Sequence, residues 1–259
     1  MREELLQQHN FGLRRGMRPG VFSVVGDSIS SNKYFLKPLA HGAQYLGDYA
    51  GLEPVLEYYR GTTVRSVEGV AFNSFDVDGI GALSGWKAEH LVDPGSRFWE
   101  PLCLPHETPL QCELRIARPE ITLIMIGTND VGVTSLPVYA DQLYRIVRSV
   151  QSYGSIAVLS TLPAQRDAGG VDAAEPYNQV ILNLAAQRRV PLWNFWRALE
   201  ELPSGGMDPG DIHPNVPPDE SSADFTSAGL QYGMNVRNLT ALQVLAALHA
   251  VLHAPAAFQ

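Results

Sequence analysis

The sequence predicts an α/β fold on a central parallel sheet of about five strands, and three observations predict it. Residues 121–127, Ile-Thr-Leu-Ile-Met-Ile-Gly, form a near-continuous apolar run of the kind buried on both faces of a sheet. Further apolar runs at 20–26 and 155–160 alternate with stretches whose apolar residues fall at helical spacing. No internal repeat or low-complexity linker breaks the alternation. The simplest organisation is an N-terminal arm, residues 1–19, followed by one domain over residues 20–259.

In chain order, the residues before about Met17 carry little core-forming pattern. Residues 20–26 read as the first strand, and residues 30–51 supply a loop and a helix. Residues 54–59, Pro-Val-Leu-Glu-Tyr-Tyr, read as a second strand because Val and Tyr favour sheets. Residues 60–85 are rich in Gly and Ser and read as a loop, and Ser84-Gly85 precedes a short amphipathic run. Residues 93–109 form another long loop, a length that tends to carry function. Leu143, Ile146, Val147 and Val150 mark a helix over 137–153, and Val180, Ile181, Leu184 and Ala185 mark one over 176–189. Residues 190–195 read as the fifth strand. Residues 207–215 are turn-rich, 224–233 give a short helix and turn, and 239–252 form an apolar, Ala-rich helix.

The 259 residues include 19 basic and 27 acidic side chains, a formal charge of −8. No Lys/Arg cluster stands against that balance, which argues against nucleic acid as a partner. No apolar run reaches the roughly 18 residues of a membrane span, so no integral membrane segment is expected. The N-terminal stretch lacks the apolar core of a signal peptide, although such a signal is removed from mature chains. Cys103 and Cys112 sit in a Pro-containing stretch read as a loop, where their spacing allows either a disulfide or two free thiols. A disulfide implies an oxidising compartment, extracellular or cell-envelope; free thiols fit a cytoplasmic chain equally well. His249 and His253 lie four residues apart, a metal-binding spacing, but no carboxylate or Cys accompanies them in sequence, and a solvated helix end is the expected reading.

Three polar residues follow apolar strands or occupy the late loop: Ser28 in Gly-Asp-Ser-Ile-Ser at 26–30, Asn129 in Gly-Thr-Asn-Asp at 127–130, and His213 before Pro214. Parallel strands place Ser28 and Asn129 on one edge of the sheet, where ligands bind. Ester hydrolysis by serine needs a nucleophile, a base and oxyanion donors. Ser28 supplies the first, His213 the second, and the Asn129 amide with backbone N–H groups the third. The bland alternative for Ser28 is a helix cap. Asp27 and Asp130 read as loop-capping residues and Asn178 as a helix-surface amide. Tyr34, Trp86, Phe98 and Trp99 read as packing or pocket aromatics, and His106-Glu107 as solvent-facing.

These blocks, in this order over roughly residues 20–215, resemble the SGNH branch of the GDSL esterase/lipase family. The resemblance implies a flavodoxin-like three-layer α/β/α sandwich and a serine hydrolase that needs no cofactor and no metal. It assigns Ser28 and His213 to catalysis and the oxyanion hole to Ser28 N–H, Asn129 and a glycine, Gly85 or alternatively Gly81. The family's acid three residues before the histidine is replaced here by Gly210. Asp211 is favoured over Asp208 as the acid, and a Ser–His dyad aided by a backbone carbonyl is the third arrangement. The expected substrate is a small-molecule or carbohydrate ester. The rival class is a non-catalytic glycan-binding module on the same fold; a flavin or nucleotide binder is disfavoured because no Gly-rich phosphate loop follows the first strand.

Overall fold

Four strands, β1 (Arg18–Gly26), β4 (Pro119–Met125), β5 (Ile156–Ser160) and β6 (Leu192–Trp193), pair in parallel in the order β1-β4-β5-β6. Helix α1 (Arg2–Arg14) precedes β1, and between β1 and β4 lie α2 (Glu53–Arg60), a two-stranded antiparallel ribbon of β2 (Arg65–Val67) and β3 (Val70–Phe72), α3 (Ala88–Val92) and α4 (Pro109–Ala117). After β4 come α5 (Leu136–Tyr153), α6 (Glu175–Arg188), α7 (Phe195–Leu199) and α8 (Gly233–Leu252). The computed structural model describes residues 1–96 and 101–254. Phe98 and Trp99 therefore lie outside the described residues.

Every residue of β4 is buried, as its continuous apolar pattern requires of a strand covered on both faces. Helix α8 packs with α1, α2 and α7, while α5 packs with α3, α4 and α6, so two groups of helices flank the sheet in three layers. One connected cluster of buried apolar side chains runs from Leu5 to Leu252.

The structure corrects several local expectations. Residues 54–59 are helical, so the sheet has four strands. Val55, Leu56 and Tyr59 of α2 are buried, a one-sided face that a strand would have split between two. Local propensity for sheet loses here to the spacing of the apolar residues. The expected fifth strand shrinks to Leu192–Trp193, because Asn194 caps α7 by accepting Arg197 N–H. The leading arm is largely helix α1, whose Leu5, His9 and Gly12 are buried.

The cysteine stretch is a loop only up to Thr108. There the Thr108 hydroxyl accepts Gln111 N–H at 3.1 Å while Gln111 Oε1 accepts Thr108 N–H at 3.0 Å, a reciprocal cap that starts α4. Cys112 on this helix is disulfide-bonded to Cys103, with Cα atoms 5.3 Å apart. Glu107, expected to face solvent, pairs with Arg115.

Candidate active site

The register sets the site. Gly26 is opposite Met125 in the β1–β4 pair, so the turns after both strands leave the sheet at one edge. Gly26 is obligatory there: a Cβ would stand 2.1 Å from the Met125 carbonyl oxygen and 2.4 Å from Ser30 Oγ. Beyond it Asp27 fastens the turn. Its Oδ1 accepts Ile29 N–H at 3.0 Å and its carbonyl accepts Ser30 and Ser31 N–H at 3.0 and 2.9 Å. Asp27 is fully buried, and burial pushes its carboxyl up. The turn holds Ser28 half-buried with its hydroxyl toward the late loop.

That loop brings His213 to Ser28. Ser28 Oγ and His213 Nε2 are 2.8 Å apart, and His213 Nδ1 is 2.8 Å from Asp211 Oδ1. The acid reaches the ring through turn chemistry. Asp208 C=O accepts Asp211 N–H at 3.1 Å, with Pro209 and Gly210 between them and Gly210 at φ +75°. Proline second and a left-handed glycine third are what a type II turn demands. The turn carries Asp211 toward the imidazole, while Asp208 lends the turn its carbonyl. The bond to His213 holds the Asp211 carboxyl below the ordinary carboxylate range, with a further contribution from Ile212 N–H. Asp211 is half exposed to solvent.

The expected oxyanion groups are Gly85 or Gly81 and Asn129. Leu83 C=O accepts Trp86 N–H at 3.2 Å across a turn whose third residue, Gly85, has φ +79° and open space around it. Gly81 is otherwise engaged: its carbonyl accepts Gly26 N–H at 2.9 Å and its N–H helps hold the buried Glu113 carboxylate. The Asn129 amide donates one hydrogen to Trp86 C=O at 2.9 Å, which fixes its plane and leaves the second hydrogen. Asp130 braces this corner, accepting Ala88 N–H at 2.9 Å and the Thr134 hydroxyl at 2.7 Å. Ser28, Gly85, Asn129 and His213 thus come from four separate segments of chain.

Other supports were not visible as functional residues in sequence. Arg237, from α8, is completely buried beneath the serine turn, its guanidinium carbon 3.9 Å from the Phe35 ring centroid and 5.6 Å from those of Trp193 and Phe195. Its Nη2 donates to Ser30 Oγ at 3.2 Å, and burial depresses its pKa to about 9 against the opposing pull of Asp27. Glu113, from α4, accepts the Ser23 hydroxyl at 2.5 Å and Ile80 N–H at 2.8 Å, tying β1 to the segment that carries Gly81 and Gly85. A single buried Arg or Glu on an apolar helix face is the one signal that points to such roles. Asn178 is corrected from surface amide to loop clamp, since it accepts Leu162 N–H at 2.7 Å and donates to Leu162 C=O at 3.0 Å. Trp86 is buried and stacks with His90, and Tyr34 bonds Glu220 at the surface.

Residues 24–217 match the model of the GDSL-like Lipase/Acylhydrolase family. The chain belongs to that family. As a GDSL-like lipase/acylhydrolase it is a carboxylic ester hydrolase. Solved structures share its fold at low identity. An acetylxylan esterase from Geobacillus stearothermophilus aligns with TM-score 0.52 and 17% identity over 86% of this chain and 93% of its own. A protein called TesA aligns with TM-score 0.53 and 17% identity over 88% and 99%. A psychrotrophic esterase from Pseudoalteromonas sp., crystallised inhibited by monoethylphosphonate, aligns with TM-score 0.51 and 14% identity over 88% and 97%. No curated protein sequence matches significantly. No helix among the described residues is long and apolar enough to cross a membrane.

Proposed function

We propose that this GDSL-like hydrolase works through a Ser28–His213–Asp211 triad. The observation that carries the reading is the continuous hydrogen-bonded line from Ser28 Oγ through His213 to Asp211, each link 2.8 Å. Ser28 Oγ attacks the acyl carbon as His213 Nε2 takes its proton. The same imidazole then protonates the leaving alcohol, and water, deprotonated in turn, releases the acyl group. Asp211 holds the tautomer with Nε2 facing the serine and offsets the imidazolium charge. Ser28 N–H, Gly85 N–H and the free Asn129 amide hydrogen receive the oxyanion.

We further propose small acyl or acetyl esters of polar alcohols, carbohydrates among them, as substrates. A cavity of about 540 Å³ opens beside Asp211, lined among others by Gln165, Arg166, Asp167 and Asp208. These are hydrogen-bonding groups suited to hydroxyls rather than to an acyl chain. The disulfide between Cys103 and Cys112 supports an extracellular or cell-envelope setting.

The test is Ser28→Ala with p-nitrophenyl acetate and a serine-directed phosphonate. Loss of both turnover and labelling is expected. Undiminished turnover removes Ser28 as nucleophile, and a wild-type chain that neither turns over esters nor takes the label is a binding module instead. Comparing p-nitrophenyl esters of rising chain length with acetylated sugars tests the substrate class.

A further inference from the structure

At the amino end of the sheet, away from Ser28, four segments converge on one carboxylate. Glu120, second residue of β4, is almost completely buried. Its Oε1 is fixed by Gly20 N–H at 3.0 Å. Its Oε2 faces His253 Nε2 at 3.2 Å, at the end of α8, and His9 Nδ1 at 3.9 Å, on α1. The three ligand atoms all lie within 4.8 Å of one another. Tyr58, on α2, closes the cluster with its hydroxyl 3.0 Å from His253 Nε2, and the His249 ring lies 4.9 Å from that of His253.

We propose that His9, Glu120 and His253 bind a divalent cation of the zinc class, which clamps the first and last helices to the start of β4. Two imidazole nitrogens and one carboxylate oxygen form a donor set that zinc takes, with a fourth position for water or a further side chain. Bonds of about 2.0–2.2 Å in a tetrahedron set neighbouring ligand atoms roughly 3.3–3.5 Å apart. The His253–Glu120 separation is already close to that, and the His9–Glu120 separation of 3.9 Å exceeds it by about half an ångström. On binding, His253 Nε2 gives up its hydrogen bonds to Tyr58 and Glu120 Oε2, and the imidazole keeps its proton on Nδ1.

The electrostatics favour a cation. Among the described ion pairs, Glu120 meets only these two imidazoles and no Lys or Arg. A buried carboxylate without a firm positive partner is costly. Oε1 is held by a backbone N–H, so Oε2 is turned toward both imidazoles before any ion arrives.

The expected effect is on stability, since a ligand that binds only the folded state raises it. Full-length protein stripped with a chelator is titrated with zinc chloride by calorimetry, with thermal melting in parallel and cobalt(II) substitution as a spectroscopic report of four-coordination. One zinc per chain, a raised Tm and a four-coordinate cobalt spectrum are expected. His9→Ala and His253→Ala should each weaken binding by more than about 100-fold, beyond the roughly 10- to 100-fold that an outer-shell substitution gives. His41→Ala, at an exposed surface imidazole, should bind as wild type does. Because His253 sits at a partly exposed helix end, its variant is expected to fold even if His9→Ala is not. Failure of wild type to take up zinc at one equivalent overturns the proposal. So does binding that survives His253→Ala, or binding that is lost with His213→Ala while His9→Ala and His253→Ala retain it.

Discussion

Replacing Asp211 by Asn tests the proposed triad most sharply, because the geometry limits how large the effect can be. The side chain keeps its size and its place in the turn but loses the charge that faces His213 Nδ1 at 2.8 Å. A hydrogen bond to a charged group contributes about 1.5–3 kcal/mol net. Asp211 stands half in solvent, where water replaces part of what is lost and screens the imidazolium. The lower part of the range applies, about 1.5–2 kcal/mol, which at about 1.4 kcal/mol per decade is a roughly 10- to 30-fold fall in kcat/KM. Where the acid of such a triad is sealed from water, the corresponding loss is about 10⁴-fold in kcat. Asp208→Asn should change kcat/KM by less than about twofold, because only its backbone carbonyl takes part in the turn. The assay is initial-rate hydrolysis of p-nitrophenyl acetate at slightly alkaline pH. An Asp211→Asn enzyme within twofold of wild type, or an Asp208→Asn enzyme that loses more, refutes the assignment of the acid. A loss approaching 10⁴-fold refutes the argument from solvent exposure instead.

Asn129→Ala removes one proposed oxyanion donor and should lower kcat by about 10²–10³-fold with KM little changed; a loss under tenfold in steady-state kinetics counts against the hole as drawn. Cys103→Ser with Cys112→Ser opens a loop of sequence separation 9 and should cost about 2.5 kcal/mol in urea unfolding under non-reducing conditions. Equal midpoints for the two proteins rule that out. Burial raises the Glu113 carboxyl above its unfolded-state pKa, so its favourable contribution is full below the unfolded pKa and is lost as pH rises through the folded value. Wild-type stability should therefore decline with rising pH in that window more steeply than that of Glu113→Gln, and identical slopes in urea melts across pH 4–8 (about four units, spanning the ordinary carboxylate range) dispose of the idea.

How far the sequence disclosed all this varied with the distance over which each feature is decided. Ser28 and Asn129 were legible because each follows an apolar strand within four residues, and a parallel sheet must put both at one edge. Asp211 was half legible: Pro209-Gly210 signals a bend, but only three dimensions show which of two aspartates the bend delivers. Residues 54–59 misled because Val and Tyr favour strands locally, while burial of Val55, Leu56 and Tyr59 on one face is a tertiary demand. The start of α4 was available in principle, since Thr108 and Gln111 stand three apart as a reciprocal cap does. His249 and His253 stand at a metal-binding spacing with no carboxylate near them in sequence. Glu120 supplies one from 133 residues away along the chain, a partnership that no local pattern encodes.

Arg237, lodged beneath the serine turn, also has a bearing on when the enzyme is assembled. The turn at residues 27–30 leaves the ribosome well before the guanidinium that reaches Ser30, which lies 207 residues later. Its aromatic surroundings, Phe35, Trp193 and Phe195, are likewise drawn from both ends of the sequence. Contacts so remote in sequence are late to form, since their loop-closure entropy must be met first. During synthesis the chain can thus present the serine turn long before the turn has its floor. Hydrolytic competence should accordingly emerge abruptly, once α8 has been translated and docked, rather than grow with each added strand.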